Sequence, residues 1–517
     1  MFFVSAMSFT CMLFNCGNDN ITPSLSPEEA VAADKESLAI TYAEGDSETH
    51  VTKPLTLPGT GANATTINWT SSDTGLVKTT GLVSRPKDNS NSVTLTALIT
   101  KEGVADTKSF VVTVLPVTIW TDLFGSSAIV YDVVSDKNGY IYAAGRTGSN
   151  VDGQIRTGSV DILITKYDIN GTKQWTRLLG GASGTSSAVG IALDSTHSNV
   201  YVVGSTDVGL DSQPLIGTGT NGFVTKYDSS GNIQWTRLIG KAAVLNNPTK
   251  AQSVALDSSN NIYISGYTDV ALVGTVNGIR DSFLRKYDSS GTELWTVQMG
   301  VAASVTDNYD VAVDSNNNVY LTGYTSGNLN LETLTGQEDV YITKHDPSDG
   351  TILWTKLLGV TTKITNGRAI AIDLNNNIYI SGYTYGALEG ETLIGLNKAN
   401  SFVAKYNTSG TKLWNRQTGS IFSHAGTDDK GGLAVDSSGN VFIVGSVQTF
   451  YNGVSGIGTK DAFMNKYNSD GVRQWTTLFG LPSQTTYGYG ATVDENDNAF
   501  AVGSAYNSIF ITNEMNL

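Results

Sequence analysis

The carboxylates that recur most regularly along the chain are seven aspartates, each at the end of a short apolar run such as "VALD". They are Asp136, Asp194, Asp257, Asp314, Asp373, Asp436 and Asp494. A ring of carboxylates could bind a metal ion, but an aspartate that begins a tight turn also accepts hydrogen bonds from backbone N–H groups. The turns, such as "DSSNN", lack the twelve-residue spacing and the closing Glu of a calcium loop. We therefore expect a turn role, and the sequence predicts no metal site and no cofactor.

Basic and imidazole side chains give no clearer chemistry. Six lysines recur in one apolar run of each unit, which favours a structural role, solvated or paired with aspartate: Lys166, Lys226, Lys286, Lys344, Lys405 and Lys466. The four histidines are scattered, and the sequence contains no HExxH, no GxSxG and no Gly-rich phosphate loop. Scattered carboxylates could still converge for glycoside cleavage, but the spacing singles out no pair. No catalytic residue is predicted.

The segments that must position these residues form a long repeat. Its clearest marker is a tryptophan that returns at intervals of 55, 60, 60, 59, 60 and 61 residues, at Trp120, Trp175, Trp235, Trp295, Trp354, Trp414 and Trp475. One unit contains four strand-like runs, "VALD", "NIYISG", "SFLRKYD" and "ELWTVQMG", which we name strands a, b, c and d. Four antiparallel strands per unit, repeated at a fixed period, predict a β-propeller.

The seven aspartates that end strand a predict seven blades. The repeat begins with an isolated strand d, "TIWTDLFG", and finishes after a strand c, "NSIFIT". We expect the strand at 117–125 to pair with the strand c near 509–512, which closes the ring and removes two exposed sheet edges. The recurring tryptophan is expected to wedge between neighbouring blades and not to stack on a ligand.

The motifs "DSxxNxYxxG", "DxFxxKYDxxG" and "WT…G" give the repeat a resemblance to a known family. Over residues 117–517 the chain resembles the bacterial SBBP (seven-bladed β-propeller) repeat. The last unit departs most, since Asn513 stands where the other units have lysine. The resemblance implies the fold and no particular activity.

Residues 37–116 lie outside the repeat. Short alternating runs such as "TTINWTSSD", "SVTLTALIT" and "KSFVVTVLP" are broken by Gly, Pro, Asn and Asp, which predicts an all-β sandwich. Their order resembles the atrophied bacterial immunoglobulin-like domain, with Trp69 as the expected core tryptophan. The resemblance implies a spacer. Residues 17–36 are polar and are expected to form a linker between the leader and this domain.

The first 16 residues form an apolar run, "MFFVSAMSFTCMLFNC", that is shorter than the roughly 20 residues a membrane-spanning helix needs. It predicts a secretory signal peptide. Within it, "LFNC" resembles a bacterial lipobox of the relaxed spirochaete type, which implies lipidation at Cys16. Two acyl chains would anchor the protein stably. We expect an exported protein, lipid-anchored to the bacterial outer membrane or cell surface, or secreted after a plain signal peptide.

Composition excludes several functional classes. The formal net charge is −15, from 32 Lys and Arg against 47 Asp and Glu, and there is no basic run, which argues against nucleic-acid partners. Cys11 and Cys16 are the two cysteines, so residues beyond 16 offer no disulfide framework and no thiol catalysis. We expect a monomer that contacts the membrane only through its lipid anchor.

The b–c and d–a loops are the candidate binding surface. Because strands alternate in direction, these loops share one face, and they differ between units: "SNVDGQIRTGS", "VGLDSQPLIGTGT", "YGALEGETLIGLNKA" and "FSHAGTDDKGG". Variation among otherwise similar units suggests binding, because loops carry function on a fixed scaffold. Drift in unconstrained loops is the alternative.

A more specific hypothesis places a ligand at the axial mouth of this face. Five residues before each strand-a aspartate, the innermost strand enters the blade at Tyr131, Val189, Gln252, Tyr309, Arg368, Gly431 and Tyr489. The Tyr, Gln and Arg side chains suit stacking on and hydrogen bonding to a sugar or peptide, and Asp132 and Asp310 could add acceptors. The alternative is a wet funnel with no ligand.

The sequence thus predicts an all-β protein with an immunoglobulin-like sandwich followed by a seven-bladed propeller. The expected function is non-enzymatic binding of an extracellular protein or glycan through the long-loop face. The alternative is an envelope polysaccharide hydrolase or lyase acting at the propeller axis. Two carboxylates at catalytic separation with a raised pKa would favour the enzyme.

Overall fold

The computed structural model describes residues 25–43, 46–86, 89–115, 121–242, 248–395, 397–419, 425–426, 431–448, 450–505 and 508–514. The chain divides between residues 116 and 117 into two compact units. Cys16, Trp120 and most of "FSHAGTDDKGG" lie outside the described residues.

The first unit is built on a three-stranded antiparallel sheet of Thr66–Ser71, Asn91–Lys101 and Val104–Val114, in that order. Isolated bridges such as Val51 to Val114 and Val77 to Val83 tie extended segments to a common valine- and leucine-rich core. Trp69 packs against this core, with its ring 5.7 Å from that of Phe110, and its Nε1 donates to the Pro58 carbonyl at 2.8 Å.

A helix, Pro27–Ser37, precedes this sheet and is not predicted by the sequence pattern. Ser26 caps it, since the Ser26 hydroxyl accepts from the Glu29 N–H while the Glu29 carboxylate accepts from the Ser26 N–H. Val31 packs with Ile67 and Ala97 of the sheet. Residues 27–36, expected to be a polar linker, are therefore an ordered part of the first unit.

The second unit contains, within its described residues, seven antiparallel sheets, each with strands a to d; the strands of six sheets are successive in the chain, and the seventh takes its strand d from the start of the unit. Strand a spans Ala128–Ser135, Ser186–Leu193, Thr249–Leu256, Thr306–Val313, Thr365–Ile372, Ala425–Gly426 with Gly432–Val435, and Thr486–Val493. Strand b spans Ile141–Thr147, Asn199–Thr206, Ile262–Thr268, Val319–Thr325, Ile378–Thr384, Val441–Val447 and Ala499–Ala505. Strand c spans Asp161–Tyr167, Asn221–Asp228, Asp281–Tyr287, Asp339–His345, Asn400–Tyr406, Asp461–Tyr467 and Ser508–Glu514. Strand d spans Lys173–Leu179, Ile233–Ile239, Glu293–Met299, Ile352–Leu358, Lys412–Thr418, Arg473–Phe479 and, from the start of the unit, Thr121–Phe124.

The ring closes as the sequence predicts. Thr121–Phe124 pairs antiparallel with the last strand c, with Phe124 opposite Ile509 and Thr121 opposite Thr512. Each strand a contacts the strand a of the next blade, and that of blade 7 returns to blade 1. Strand a is thus innermost, and the seven-bladed propeller is confirmed.

The hydrophobic core lies between the blades and not within one central layer. Strands b and c are buried on both faces because each blade is covered by a neighbour on either side. Tyr142 and Ile164 of blade 1, for example, share a core with Val200 and Val202 of blade 2. Seven such clusters, one per pair of adjacent blades, run around the ring.

The recurring tryptophan occupies the contact between adjacent blades. Trp414 of blade 5 lies edge-on to Tyr379, with ring centroids 6.0 Å apart, and its Nε1 donates to the Ser469 carbonyl of blade 6 at 3.2 Å. The c–d turn of blade 6 passes so close that a Cβ at Gly471 would lie 3.0 Å from the Trp414 ring. The expected wedge between blades is confirmed, and we call this contact the seam.

The strand-c lysines complete the seam. Lys286 Nζ donates to the Pro347 carbonyl of the next blade at 2.8 Å, lies 4.9 Å from the Tyr263 ring and 3.9 Å from Asp257 Oδ2. The same donation to a carbonyl of the next c–d turn recurs at Lys166, Lys226 and Lys405. These lysines have the structural role that their repetition predicts.

Candidate binding site at the propeller axis

The seven strand-a aspartates organise the turns on one face of the propeller. Asp257 Oδ1 accepts from the backbone N–H groups of Ser259 and Asn261 at 2.9 Å, and its Oδ2 accepts from the Asn261 amide and the Tyr263 hydroxyl. Asp314 and Asp373 repeat this pattern. The predicted turn role is confirmed. Among the described residues, no three Asp, Glu, His or Cys side chains are grouped to hold a metal ion.

On the opposite face, strand a carries a β-bulge that the sequence pattern does not reveal. In blade 1, Val130 pairs with Gly145 and Asp132 with Ala144, so Tyr131 has no partner on strand b. The unpaired residue in the other bulged blades is Val189, Gln252, Tyr309, Arg368 or Tyr489. A bulge re-aims the side chain of the extra residue. The bulged residues are the positions predicted from spacing to ring the axial mouth.

A strand-b glycine makes each bulge possible. A Cβ at Gly145 would lie 1.9 Å from the Ile129 carbonyl oxygen and 2.7 Å from Val130 Cα, so no other residue fits without moving the backbone. The same approach, at 1.8 to 2.0 Å, recurs at Gly204, Gly266, Gly323, Gly382 and Gly503. The glycine of the "NIYISG" motif is therefore a requirement of the bulge on the neighbouring strand.

The bulged residues border a cavity of about 440 Å³, which we call the axial cavity. Five mouth positions line it: Tyr131, Val189, Gln252, Tyr309 and Arg368. Tyr489 lines an adjoining cavity of about 620 Å³, which shares Arg146 with the first, and its ring lies 5.2 Å from that of Tyr131. Gly431, in the interrupted strand a of blade 6, is buried. The structure thus gathers the predicted side chains from five blades around one space.

The tyrosines of the mouth contact cations instead of presenting free ring faces. The Arg368 guanidinium carbon lies 3.9 Å from the centre of the Tyr309 ring, which also stacks with Tyr324 at 6.2 Å. Arg146 lies 5.8 Å from the Tyr131 ring. Stacking of these rings on a sugar, which the sequence suggested, would compete with these contacts. The rings are better placed to position the basic groups.

Asp132 and Asp310 were expected to offer acceptors to a ligand, and the structure uses them to join blades. Asp310 Oδ2 accepts from the Ile370 N–H of blade 5 at 2.8 Å, and its Oδ1 from the Val311 N–H and the Ser253 hydroxyl of blade 3. Asp132 accepts from the Ile191 N–H of blade 2 at 3.1 Å. The bulge thus brings the neighbouring carboxylate into an inter-blade contact, and acceptance of a hydrogen bond from a ligand by Asp132 or Asp310 stays a prediction.

Carboxylates are scarce in the axial cavity. Asp207 is the one carboxylate in its described lining, and it accepts from the Thr185 N–H at 2.7 Å. Asp307 lies deeper beside Arg280 and Tyr324, and burial raises its pKa above the usual range, although Arg280 opposes the shift. A pair of cavity carboxylates suited to glycoside cleavage is not present among the described residues.

The b–c loops, which vary most in sequence, share a common anchor at the first residue of strand c. Asp281 accepts from the N–H groups of Asn277 and Gly278 at 2.8 and 2.7 Å. Asp161, Asp339 and Asp461 repeat the arrangement, and Asn221 and Asn400 replace it with an amide. The loop bases are therefore fixed, and only their tips are free to vary.

No helix in the described part of the chain has the length and apolar character to cross the bilayer. Lipidation at Cys16 and export remain predictions, because the leader lies outside the described residues.

Comparison with known proteins supports the architecture of both units. Residues 31–117 match the family model of the atrophied bacterial Ig domain. Residues 174–211, 234–272, 294–330, 353–388 and 474–511 match the model of the β-propeller repeat named SBBP. The matched segments each begin on or next to a strand-d tryptophan and continue into strands a and b of the next blade.

Relatives with known names are distant. The chain is 24% identical over 457 residues to the uncharacterized WD repeat-containing protein L264 of Acanthamoeba polyphaga mimivirus, covering 69% of this chain and 32% of that protein. It is 25% identical over 400 residues to the regulatory protein FlaEY of Caulobacter vibrioides, covering 68% of this chain and 40% of that protein. The chain thus spans well under half the length of both relatives.

Solved structures resemble the chain only at the level of a propeller. A polysaccharide lyase, the PL25 ulvanlyase bound to a sugar, aligns with a TM-score of 0.41 at 11% identity over 76% of this chain and 96% of the lyase. The quinohemoprotein alcohol dehydrogenase of Comamonas testosteroni aligns with a TM-score of 0.37 at 11% identity, over 75% and 67% of the two chains. Likeness at this level does not extend to chemistry. The family models and the sheet topology together show that this chain joins an atrophied bacterial Ig domain to a seven-bladed propeller of SBBP-type β-propeller repeats.

Proposed function

We propose that this protein is a non-enzymatic binding scaffold that holds an extracellular protein or glycan on the long-loop face of its propeller. The observation that supports it most is the mouth: a bulge fixes the same backbone position in five blades, and the side chains at that position around one cavity are Tyr131, Val189, Gln252, Tyr309 and Arg368. A scaffold that repeats its strands and short turns while varying the side chains at its axis and in its b–c loops is suited to recognition. In this proposal the first unit is a spacer, and export with a lipid anchor at Cys16 presents the propeller at the cell surface.

The enzymatic alternative, cleavage of an envelope polysaccharide at the axis, lacks a specific supporting observation. Hydrolysis by two carboxylates requires a pair facing the scissile bond. The described lining of the axial cavity has Asp207 as its one carboxylate, and Asp307 is held by Arg280 and by the Tyr324 hydroxyl. The missing carboxylate pair therefore counts against a hydrolase; a lyase, which needs no such pair, stays the enzymatic alternative, and binding is the function we propose.

The test is to fill the axial cavity without removing any charge. The full chain is first screened for binding on a glycan array and against extracellular proteins. Val189→Trp then places a large side chain at a cavity-lining mouth position, and Ile155→Trp makes the same change on a b–c loop, where Ile155 is 80% exposed. We expect Val189→Trp to abolish binding of the ligands found and Ile155→Trp to retain it.

Folding of both variants is checked by circular dichroism and thermal melting. Should Val189→Trp fail to fold, Gln252→Trp tests the same cavity from the next blade. A folded variant with a filled cavity that binds as well as the parent would exclude the axial mouth as the site.

A further inference from the structure

The axial cavity has a charge opposite to that of the whole chain. Its described lining includes three cations, Arg146, Lys250 and Arg368, and one carboxylate, Asp207, whereas the formal net charge of the chain is −15. Cations therefore outnumber carboxylates in the described lining, whereas carboxylates outnumber cations in the chain as a whole. The excess of cations gives a concentrated positive potential inside a concave site, where low-dielectric walls strengthen it.

Each of the three cations is held by a tyrosine ring and not by a carboxylate. Arg368 lies 3.9 Å from the Tyr309 ring centre and donates to the Tyr383 hydroxyl at 3.4 Å. The other two are farther away, with Arg146 5.8 Å from the Tyr131 ring and Lys250 5.9 Å from the Tyr267 ring. No carboxylate within 4.0 Å pairs with any of the three among the described residues. A ring positions a cation while leaving its charge available.

A neighbouring arginine makes the contrast clear. Arg280 also lies against Tyr267, at 4.4 Å, but it forms ion pairs with Asp269 at 2.8 Å and Asp307 at 3.4 Å. It is not part of the cavity lining. Arg280 is therefore paired directly with carboxylates, whereas the three cations of the cavity lining have no carboxylate at ion-pair distance among the described residues. The Arg368 Nε atom is buried and has no hydrogen-bond partner among the described residues.

The remaining lining consists mainly of small neutral polar groups. The hydroxyls of Thr185, Ser187, Ser205 and Thr220 make no hydrogen bond within the described part of the chain, and Gln252 adds an amide that both donates and accepts. Val189 and Ala251 are the aliphatic side chains of the described lining. A peptide ligand would usually bury apolar side chains, for which this wall offers little. Sugar hydroxyls, which both donate and accept, fit it.

We propose that the axial cavity binds an acidic saccharide, whose carboxylate or sulfate groups are recognised by Arg146, Lys250 and Arg368 and whose hydroxyls are recognised by the Ser, Thr and Gln side chains. The inference rests on the proposed binding function and specifies the class of ligand. Arginine and lysine suit it because their hydrogen bonds to anions are charge-assisted and stronger than neutral ones. A cavity that recognises a saccharide contacts neither the bases nor the phosphate backbone of a nucleic acid, so nucleic acids remain unexpected as partners.

The test measures affinity by isothermal titration calorimetry for matched pairs of probes. Trigalacturonate is paired with its fully methyl-esterified form, a sulfated trisaccharide with its desulfated form, and triglutamate supplies anionic charge without sugar hydroxyls. We expect at least one acidic saccharide to bind at least tenfold more tightly than both its neutral partner and triglutamate. Raising the salt concentration should weaken that binding.

Variants identify the cations responsible. Lys250→Gln and Arg146→Gln should each weaken binding of the acidic saccharide at least fivefold and leave the neutral partner's affinity unchanged. Lys241→Gln is the matched control, because Lys241 is exposed on a d–a loop of the same face and lies outside the cavity lining. It should change affinity less than twofold.

Three results would overturn the inference. In the first, no acidic saccharide binds more tightly than its neutral partner; in the second, triglutamate binds as well as the saccharides; in the third, Lys241→Gln weakens binding as much as Lys250→Gln. The proposed binding function is judged separately. A neutral ligand from the screen that Val189→Trp blocks would uphold the binding site and refute only its anion preference.

Discussion

The seam and the mouth of the propeller repeat in different ways. At the seam, blades 1 to 5 repeat the side chains: a strand-d tryptophan, a strand-c lysine and a glycine in the c–d turn of the next blade. At the mouth, each bulged blade repeats only the backbone, and the side chain changes from Tyr131 to Val189, Gln252 and onward. The seam must fill the same gap in every blade, whereas the mouth faces a cavity that imposes no common shape.

The seam holds the ring of blades together, whereas the mouth faces the surroundings of the protein. A gap between two packed sheets tolerates little change of volume, so one residue type satisfies it in every copy. A position that faces solvent or a ligand has no such constraint, and its variation is free to serve recognition. Four variants test this separation, in order of decreasing expected effect on stability.

The largest loss of stability is expected at the seam. Trp414→Ala removes a ring packed on Tyr379 and beneath Gly471 and leaves a cavity between two blades, which costs about 3 to 5 kcal/mol of unfolding free energy. Urea unfolding measures this loss, monitored by far-UV circular dichroism because that signal does not depend on the mutated tryptophan. Leu413→Ala, on the same strand with a side chain that is 50% exposed, should cost less than about 1 kcal/mol. Equal losses in the two variants would show that the seam is not the stabilising contact.

The bulge should be nearly as sensitive. Gly145→Ala forces a methyl group to within 1.9 Å of the Ile129 carbonyl oxygen, so strand a must move, at a cost of about 3 kcal/mol. Gly148→Ala in the adjoining loop meets only Ser127 Cβ at 3.5 Å and should be close to neutral. Thermal melting compares the two. A Gly145→Ala variant as stable as Gly148→Ala would mean that the bulge does not require a glycine on strand b.

In blade 4, strand c contains a histidine whose contribution to the unfolding free energy should be lost in acid. His345 stands where strand c of blades 1, 2, 3, 5 and 6 has a tyrosine; it is buried, with Nδ1 2.9 Å from the Gly350 carbonyl and Nε2 2.9 Å from the Thr343 hydroxyl. Burial lowers the pKa of His345 from 6.5 to about 4. The neutral ring therefore stabilises the fold fully above pH 6.5, and this contribution is lost as the pH falls from 6.5 towards 4.

His345→Tyr should remove that dependence. The difference in unfolding free energy between the variant and the parent should shift in favour of the variant by about 2 kcal/mol between pH 7 and pH 5. Urea titrations at the two pH values measure it, and subtraction of the parent cancels contributions from other groups, including Asp494, whose pKa burial raises to about 6. A difference that does not change with pH would refute this role of His345.

The smallest effect on stability is expected at the mouth itself. Gln252 is a bulged residue, half-buried beside the cavity, with no hydrogen bond among the described residues. Gln252→Ala should change the unfolding free energy by less than about 0.5 kcal/mol, as for a surface position. The same variant should weaken binding of the cavity ligand severalfold. A stability loss comparable with that of Trp414→Ala would place the mouth among the structural positions.

The sequence predicts the scaffold well because the scaffold repeats. Seven copies of the same pattern reveal the strand order, the ring closure at Ile509 and the role of Trp414, since errors in one copy are corrected by the others. The helix at Pro27–Ser37 occurs once, and its capping box lies within a segment whose polar composition suggested a linker. A single occurrence gives a sequence pattern less support.

The mouth could be located but not described. Counting from the strand-a aspartates finds Tyr309 and Arg368, because the bulge occurs at a constant distance from the turn. The bulge itself leaves no signal within strand a; its signal is the glycine of strand b, whose requirement appears only when the neighbouring backbone is known. Arg146 and Lys250 occupy periodic positions that counting to the bulged residues leaves out. Arg146 follows a strand-b glycine, as Ser205 does in blade 2, and Lys250 lies two residues before a bulged residue, as Ser187 does.

The most direct test of the separation between seam and mouth measures stability and affinity on the same two variants. Trp414→Ala and Lys250→Gln are each unfolded in urea and titrated with the tightest-binding acidic trisaccharide under conditions where both are folded. We predict that Trp414→Ala loses at least about 3 kcal/mol of unfolding free energy and keeps its affinity within about twofold. Lys250→Gln should keep its unfolding free energy within about 0.5 kcal/mol and lose at least about fivefold in affinity. Variants in which stability and affinity change together would contradict this prediction.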